Sequence, residues 1–454
     1  MKQLDFNDVQ TYEFMKIKDA EERGREYERI RQLAIEADQA DAFNRMIDSL
    51  LVYDCNSKGT PYRMWENLNK LYINQNIRVK YNELKRSITS NTRWYVYHDF
   101  ITQINSICMK TGLNLSKDQI WDFTAYIANQ HAYNPVEQYL IKAHAKYKMT
   151  DGTDEMTKLL QTITYAPHYS FEDKLFNEKL IIKWLISGVK VGLNKGQANA
   201  EFILVLKGKQ GLGKTRWFRS LMPKELLFDF FKDGVQLDLG SKDSIMQATS
   251  YWLCELGELG GTMRKSDRDA LKAWLTSTHD EFRAPYSRKS EKYPRRTFFA
   301  STVNDEEFLR DDTGNRRFIV IDVEGLNHTH NIDIDLLWGQ VMELYLSGEA
   351  TYLNQEEIRK NNERNKLYSI KSDEELIIED VLPLNQSKER WGYITSTSLC
   401  NYLDEKHGKK LSPQRVGRAL NAMGFEQHHI RLGKEKVKGR YYKLPFLEGY
   451  SIPF

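Results

Sequence analysis

The run Gly208-Lys-Gln-Gly-Leu-Gly-Lys-Thr215 carries the residue types that hold a polyphosphate. It fits the pattern G-x-x-x-x-G-K-[ST] at each fixed position. Glycines let the backbone fold around an anion, so that several N–H groups point inward at it. A lysine at position 214 neutralises β- and γ-phosphates, and a threonine at 215 offers its hydroxyl to Mg²⁺. The expected contacts are Gly208, Gln210, Gly211, Leu212, Gly213, Lys214, Thr215 and Arg216. The ligand expected there is ATP with Mg²⁺.

Hydrolysis at such a loop needs an acid near the metal and a group that orients the attacking water. The next apolar run, Tyr251–Cys254, leads into Glu255 and Glu258. An acid where a buried parallel strand emerges lies on the ligand side of the sheet. Glu255 takes the metal-side role, together with Thr215, and Glu258 the water-activating role; the reverse assignment of the two glutamates stays open. The run Thr297–Val303 ends at Asn304, whose amide can reach the γ-phosphate or its water, although Asn-Asp is equally common turn chemistry. Arg316 and Arg317 precede another apolar run. Their planar forks suit phosphate oxygens of a neighbouring subunit, while by composition alone they read as a surface pair.

Apolar runs at 202–206, 251–254, 297–300 and 318–321 alternate with helical patterns, which predicts an α/β core with a parallel sheet. Ahead of them, residues 172–192 form an amphipathic helix pattern, and Asn134-Pro135 suits a helix start with Asn134 as cap. Residues 1–50 are dense in both charges, and residues 51–150 read as mostly helical. Residues 354–380 read as charged helix and linker. Thr395–Glu405 and Ser412–Met423 read as helices, the second stopped by Gly424, and residues 429–444 alternate as a hairpin does.

The 454 residues suffice for two or three domains. A 41% hydrophobic and 28% charged composition is a globular balance. Net charge is only +3, so a nucleic-acid partner has to be met by local patches. Cys55, Cys108, Cys254 and Cys400 lie too far apart for a zinc knuckle or redox pair and are expected reduced. No stretch reaches the ~20 apolar residues of a membrane span, and no signal core opens the chain. The expectation is a cytoplasmic protein without a membrane partner.

The segments GKQGLGKT, CELGEL, LKAWLTSTHDEFRAPYSR and FFASTVNDEEFLRDDTGNRRF, in that order, resemble the virulence-associated protein E family. That family is similar to superfamily 3 helicases of the AAA+ class, found in phages, plasmids and mobile islands. The resemblance covers residues 130–325. It implies an AAA+ P-loop NTPase core that binds ATP between subunits of a ring, most often a hexamer, and moves on single-stranded or forked DNA. By it, Lys214 and Thr215 match Walker A, Glu255 and Glu258 lie in the Walker B segment, Asn304 takes the sensor position, and Arg316 and Arg317 lie in the block that supplies the arginine finger. The Walker B segment departs from the adjacent acidic pair of many AAA+ proteins. A primase enters as a partner because relatives are often fused to one, yet residues 1–130 carry no primase-like motif.

Residues 282–296 read as strand, turn, strand. In the resembling helicases a hairpin at this place reaches DNA, which makes Arg288, Lys289 and Lys292 expected phosphate contacts. Residues 391–454 resemble a winged helix. Its second helix carries Gln414, Arg415 and Arg418, and its wing, Arg431 to Lys443, holds six basic residues against Glu435, with Lys436, Lys438 and Arg440 among them. The expected organisation is a helical N-terminal region at 1–130, an ATPase domain with helical lead-in at 131–330, a charged helical linker at 331–390 and a winged-helix-like domain at 391–454. The leading expectation is an ATP-dependent DNA helicase or replication initiator. The competing ones are an ATPase of defence or regulation that does not unwind DNA, and an initiator in which ATP only controls assembly.

Overall fold

The computed structural model describes residues 53–92, 99–150, 152–257, 265–282, 290–304, 315–368, 371–384, 391–408, 410–432 and 437–445. The chain divides into two compact units, residues 1–142 with 283–290, and residues 143–282 with 291–454.

In the first unit, helix α1 (Trp65–Asn74) precedes a hairpin of β1 (Val79–Asn82) and β2 (Ser87–Ser90), followed by α2 (Phe100–Lys110) and α3 (Lys117–Gln130). Ser116 and Gln119 cap α3 reciprocally, each side chain meeting the other's backbone N–H. Leu68, Leu71, Ile104, Leu113 and Ile120 form a fully buried core. The described part of residues 51–150 is mostly helical, as expected, apart from this hairpin. Its turn is held by the Asn82 side chain, which accepts from the N–H of Leu84 and Lys85, both at 3.0 Å. The unit boundary falls inside α4 (Pro135–Lys148), which starts with Pro at its first position as expected.

The second unit is built on a six-stranded mixed sheet flanked by helices. In chain order its elements are α5 (Glu155–Leu160), β3 (Ile163–Tyr165), α6 (Phe171–Gly192), β4 (Ile203–Lys207), α7 (Lys214–Ser220), β5 (Phe231–Val235), α8 (Lys242–Ala248), β6 (Leu253–Leu256) and α9 (Lys265–Leu275). They continue with the pair β7 (His279–Phe282) and β8 (Glu291–Pro294), then β9 (Phe298–Val303) and β10 (Phe318–Leu326). The sheet order is β3-β10-β4-β9-β6-β5. All neighbours are parallel except β3, which runs antiparallel along β10. Parallel strands buried on both faces need continuous apolar runs: β4 has one over Ile203–Leu206, and β9 opens with Phe298-Phe299-Ala300. Trp184, Trp217, Trp252 and Trp338 are fully buried, and Trp252 stacks on Trp338 with ring centroids 4.3 Å apart. The indole N–H groups of Trp184 and Trp252 donate to the carbonyls of Phe299 and Gly188, which satisfies them inside the core.

Helices α10 (Ile334–Leu346) and α11 (Gln355–Asn365) follow the sheet. The charged segment around α11 packs inward. Buried Glu357 forms ion pairs with Lys179 and Lys183 of α6, both at 2.7 Å, and the amides of Asn361 and Asn365 donate to the Phe318 carbonyl. After α12 (Asp373–Val381), β11 (Trp391–Ile394), α13 (Ser396–His407), α14 (Pro413–Ala422), β12 (Gln427–Leu432) and β13 (Val437–Pro445) surround a core of Leu399, Leu403, Val416 and Leu420. Strands β12 and β13 pair antiparallel as the expected hairpin, and β11 adds a third strand on the far side of β13. No helix among the described residues is long and apolar enough to cross a membrane.

Candidate phosphate-binding site

The loop 208–213 joins the end of β4 to the start of α7. Its glycines are required by geometry. A Cβ on Gly208 would lie 2.4 Å from the Val323 carbonyl oxygen. Gly213 has φ +79°, and a Cβ there would lie 2.4 Å from the His328 ring. Gly211 has φ +89° with open space beside it, so there the backbone conformation alone favours glycine. Gln210 and Arg216 are exposed, and Leu212 is half-buried against Gly208.

Lys214, the first residue of α7, is only 7% exposed. Its Nζ donates to the carbonyls of Gly208 at 2.6 Å and Lys209 at 2.9 Å, and to Oδ1 of Asn304 at 2.8 Å. Burial pulls its pKa below the ordinary lysine value, with the Glu255 charge opposing. The ammonium thus fills the loop with its own donors. Asn304 stands at the end of β9, one residue past Val303, which pairs with Lys207.

Glu255, expected where the strand emerges, is the next-to-last residue of β6 and is 3% exposed. The strand starts at Leu253, two residues into the apolar run, and the Trp252 carbonyl just before it accepts from the Phe298 N–H of β9. Glu255 Oε1 accepts from the hydroxyls of Thr215 at 2.8 Å and Thr302 at 2.9 Å. Its Oε2 is buried and has no partner among the described residues. Burial raises the Glu255 pKa, while the two hydroxyls oppose the rise, Asp233 adds to it and Arg219 opposes it. Four of the expected residues, Lys214, Thr215, Glu255 and Asn304, therefore converge at the C-terminal ends of β4, β6 and β9. Glu258 lies outside the described residues.

The raised Glu255 pKa has a consequence for stability. A carboxyl whose folded pKa lies above its ordinary value near 4.5 contributes stability that is full below that value and is lost as pH rises through the folded one. Glu255→Gln has no such loss. In thermal melts without nucleotide, the variant is expected to gain on the wild type as pH rises from about 4 to about 8. A difference independent of pH contradicts the buried, ionisable assignment.

Arg316 is exposed and Arg317 half-buried, in a turn immediately before β10. Burial, with the charge of Arg316 assisting, lowers the Arg317 pKa. Phe318 pairs with Ile203, the first residue of β4, and the strands are parallel. The arginines therefore lie at the end of the sheet opposite the loop, five strand residues or roughly 17 Å away. They do not join the other four residues within one chain.

Thr302 carries no motif, and only the β6/β9 pairing brings its hydroxyl to Glu255. His328 is likewise unmarked in sequence and borders the loop through Gly213.

Among the expected DNA contacts, Lys292 is exposed on β8, while Arg288, Lys289 and Lys436 lie outside the described residues, as does the side chain of Lys438. Strands β7 and β8 pair antiparallel, His279 opposite Pro294. Their base is fixed by Asp280 and Arg295, buried to 1% and 0% side-chain exposure. Arg295 Nε donates to Asp280 Oδ2 at 3.0 Å, its Nη2 donates to Oδ1, and the guanidinium lies 4.1 Å from the Trp274 ring centroid. Gln414, Arg415 and Arg418 are exposed on α14, and Arg440 is exposed on β13. Arg415 also meets Glu374 at 3.6 Å.

Residues 144–370 match the virulence-associated protein E-like domain, half of the chain. The chain belongs to this family. Two apo structures of the NrS-1 C-terminal region are similar at 14% identity: one covers 84% of this chain and 100% of its own at TM-score 0.45, the other 83% and 98% at 0.43. An X-ray structure of JCV helicase is similar at 15% identity over 55% of this chain and 75% of its own, with TM-score 0.27. No curated protein matches the chain.

Proposed function

We propose that this family member is an ATP-hydrolysing motor that assembles as a ring, most often a hexamer, and translocates on single-stranded or forked DNA in the replication of a phage, plasmid or genomic island. The observation that carries the reading is the convergence of Lys214, Thr215, Glu255 and Asn304 around a glycine loop at the carboxyl ends of parallel strands, where open α/β sheets take their ligands. The chain is read as a P-loop AAA+ core with a winged-helix-like C-terminal part.

The donor set fits Mg²⁺. A hydroxyl and a carboxylate with one unpartnered buried oxygen are hard oxygen donors, and this ion is commonly held by one or two such groups together with substrate phosphates. When bound there, Mg²⁺ would neutralise charge on the β- and γ-phosphates. Lys214 exchanges the Gly208 and Lys209 carbonyls for phosphate oxygens. The bond from Lys214 to Asn304 Oδ1 leaves the amide nitrogen of Asn304 to orient the attacking water at the γ-phosphate. Thr215 and Glu255 would hold the cation, and Thr302 keeps the Glu255 carboxylate aimed. Glu258 is the proposed water-activating group.

Because Arg316 and Arg317 stand at the far end of the sheet from their own loop, their proposed phosphate is that of the next subunit. The test is subunit mixing. Lys214→Ala and the double variant Arg316→Ala/Arg317→Ala are each expected to be inactive, and their mixture to regain hydrolysis from sites that combine an intact loop with intact arginines. A mixture as inactive as its parts overturns the shared site. DNA is proposed to run past Lys292 with Arg288 and Lys289, and past Arg415, Arg418, Lys436, Lys438 and Arg440 of the C-terminal part.

A further inference from the structure

Strands β5 and β6 break register beside Glu255. Phe231 pairs with Leu253 and Lys232 with Cys254, but the next pair is Val235 with Leu256. Two residues, Asp233 and Gly234, therefore stand opposite Glu255 alone. Gly234 accommodates the extra residue with φ +61°. Such bulges are rare between parallel strands and occur next to active sites, where they re-aim a side chain. The side chain re-aimed here is Asp233, whose Oδ2 accepts from Arg219 Nη2. Arg219 also lies 5.8 Å from the centroid of the Phe231 ring, on the same strand as its partner.

Arg219 is four residues after Thr215 on α7, which puts both on one face of the helix. Glu255 and Asp233 are neighbours across β6 and β5. The two contacts are thus successive rungs of one ladder: Thr215 to Glu255 at 2.8 Å, then Arg219 to Asp233. We propose that Arg219 and Asp233 are positioning residues, an ion pair that locks α7 against the bulged end of β5 and so holds the Thr215 and Glu255 oxygens at the spacing a divalent cation needs. This rests on the nucleotide reading of the loop. The pair touches neither phosphate nor metal.

The test is ATP binding by the full chain, measured by calorimetry with Mg²⁺ and again in excess EDTA. Wild type is expected to bind ATP more tightly with Mg²⁺. Asp233→Asn and Arg219→Gln are expected to reduce the Mg²⁺-dependent gain by about fivefold, the upper scale of a partly exposed ion pair, and to leave binding in EDTA within about twofold. The charge swap Arg219→Asp/Asp233→Arg is expected to restore most of the gain, which neither a direct metal ligand nor a lost fold would allow. Equal losses with and without Mg²⁺, no loss, or a swap that fails to restore the gain overturns the proposal. A wild type that binds ATP under neither condition overturns the nucleotide reading itself, and the inference with it.

Discussion

Lys214→Ala is expected to reduce ATP affinity by at least about 100-fold and hydrolysis to background. Two charge-assisted hydrogen bonds to phosphate contribute about 1.5–3 kcal/mol each, which sets that lower bound. The same substitution is expected to leave the nucleotide-free fold intact. The acceptors it strands are two loop carbonyls and the exposed Asn304 amide, and burial already disfavours the ammonium. The expected signature is therefore a melting temperature within a few degrees of wild type alongside lost binding, read by thermal melts and calorimetry. A variant that binds ATP normally would place the nucleotide elsewhere.

Asp280→Ala carries the largest expected effect on stability. The substitution leaves the Arg295 guanidinium, at 0% side-chain exposure, without its carboxylate at the base of β7 and β8. Breaking such a pair by removing one partner costs about 3–5 kcal/mol. For a unit of this size the melting midpoint falls by roughly 10 °C. The neighbouring loop adds to the cost. Asn194 donates to the Arg295 carbonyl and accepts from the N–H groups of Gly196, Gln197 and Ala198, so a shifted Arg295 backbone loosens residues 194–198 as well. Replacing both partners together, Asp280→Leu/Arg295→Met, is expected to be milder, since no charge is then stranded. A single variant as stable as wild type in calorimetric melts contradicts the buried pair as the anchor of the hairpin.

The loop, its strand and the Asn304 amide beside Lys214 were legible because each is local: a glycine spacing, an apolar run, a polar residue at the run's end. Edge strands were not. β5 (FKDGV) contains a charge, an acid and a glycine, and its bulge exists only against β6. β3 is three residues long and is defined by its antiparallel pairing with β10. The segment 354–365 reads as charged helix and linker. Its Glu357 is nonetheless buried between two lysines of α6 more than 170 residues earlier in the chain, a pairing that local composition does not carry. The Asp280–Arg295 anchor was hidden for the same reason, inside a stretch whose basic residues read as a DNA contact. At the site itself, sequence marked Glu255 as an acid but not its partners. Thr302 and Arg219 reach the carboxylate or its neighbour only once three strands and α7 are assembled.

The proposed coupling of nucleotide turnover to DNA is tested by ATP hydrolysis with and without single-stranded DNA. Turnover is expected to rise several-fold with DNA, to vanish in Lys214→Ala in both conditions, and in Lys292→Glu to need roughly tenfold more DNA for half-maximal stimulation, because one phosphate contact becomes a repulsion. Robust turnover that is lost in Lys214→Ala but indifferent to DNA would keep the phosphate loop and contradict the motor.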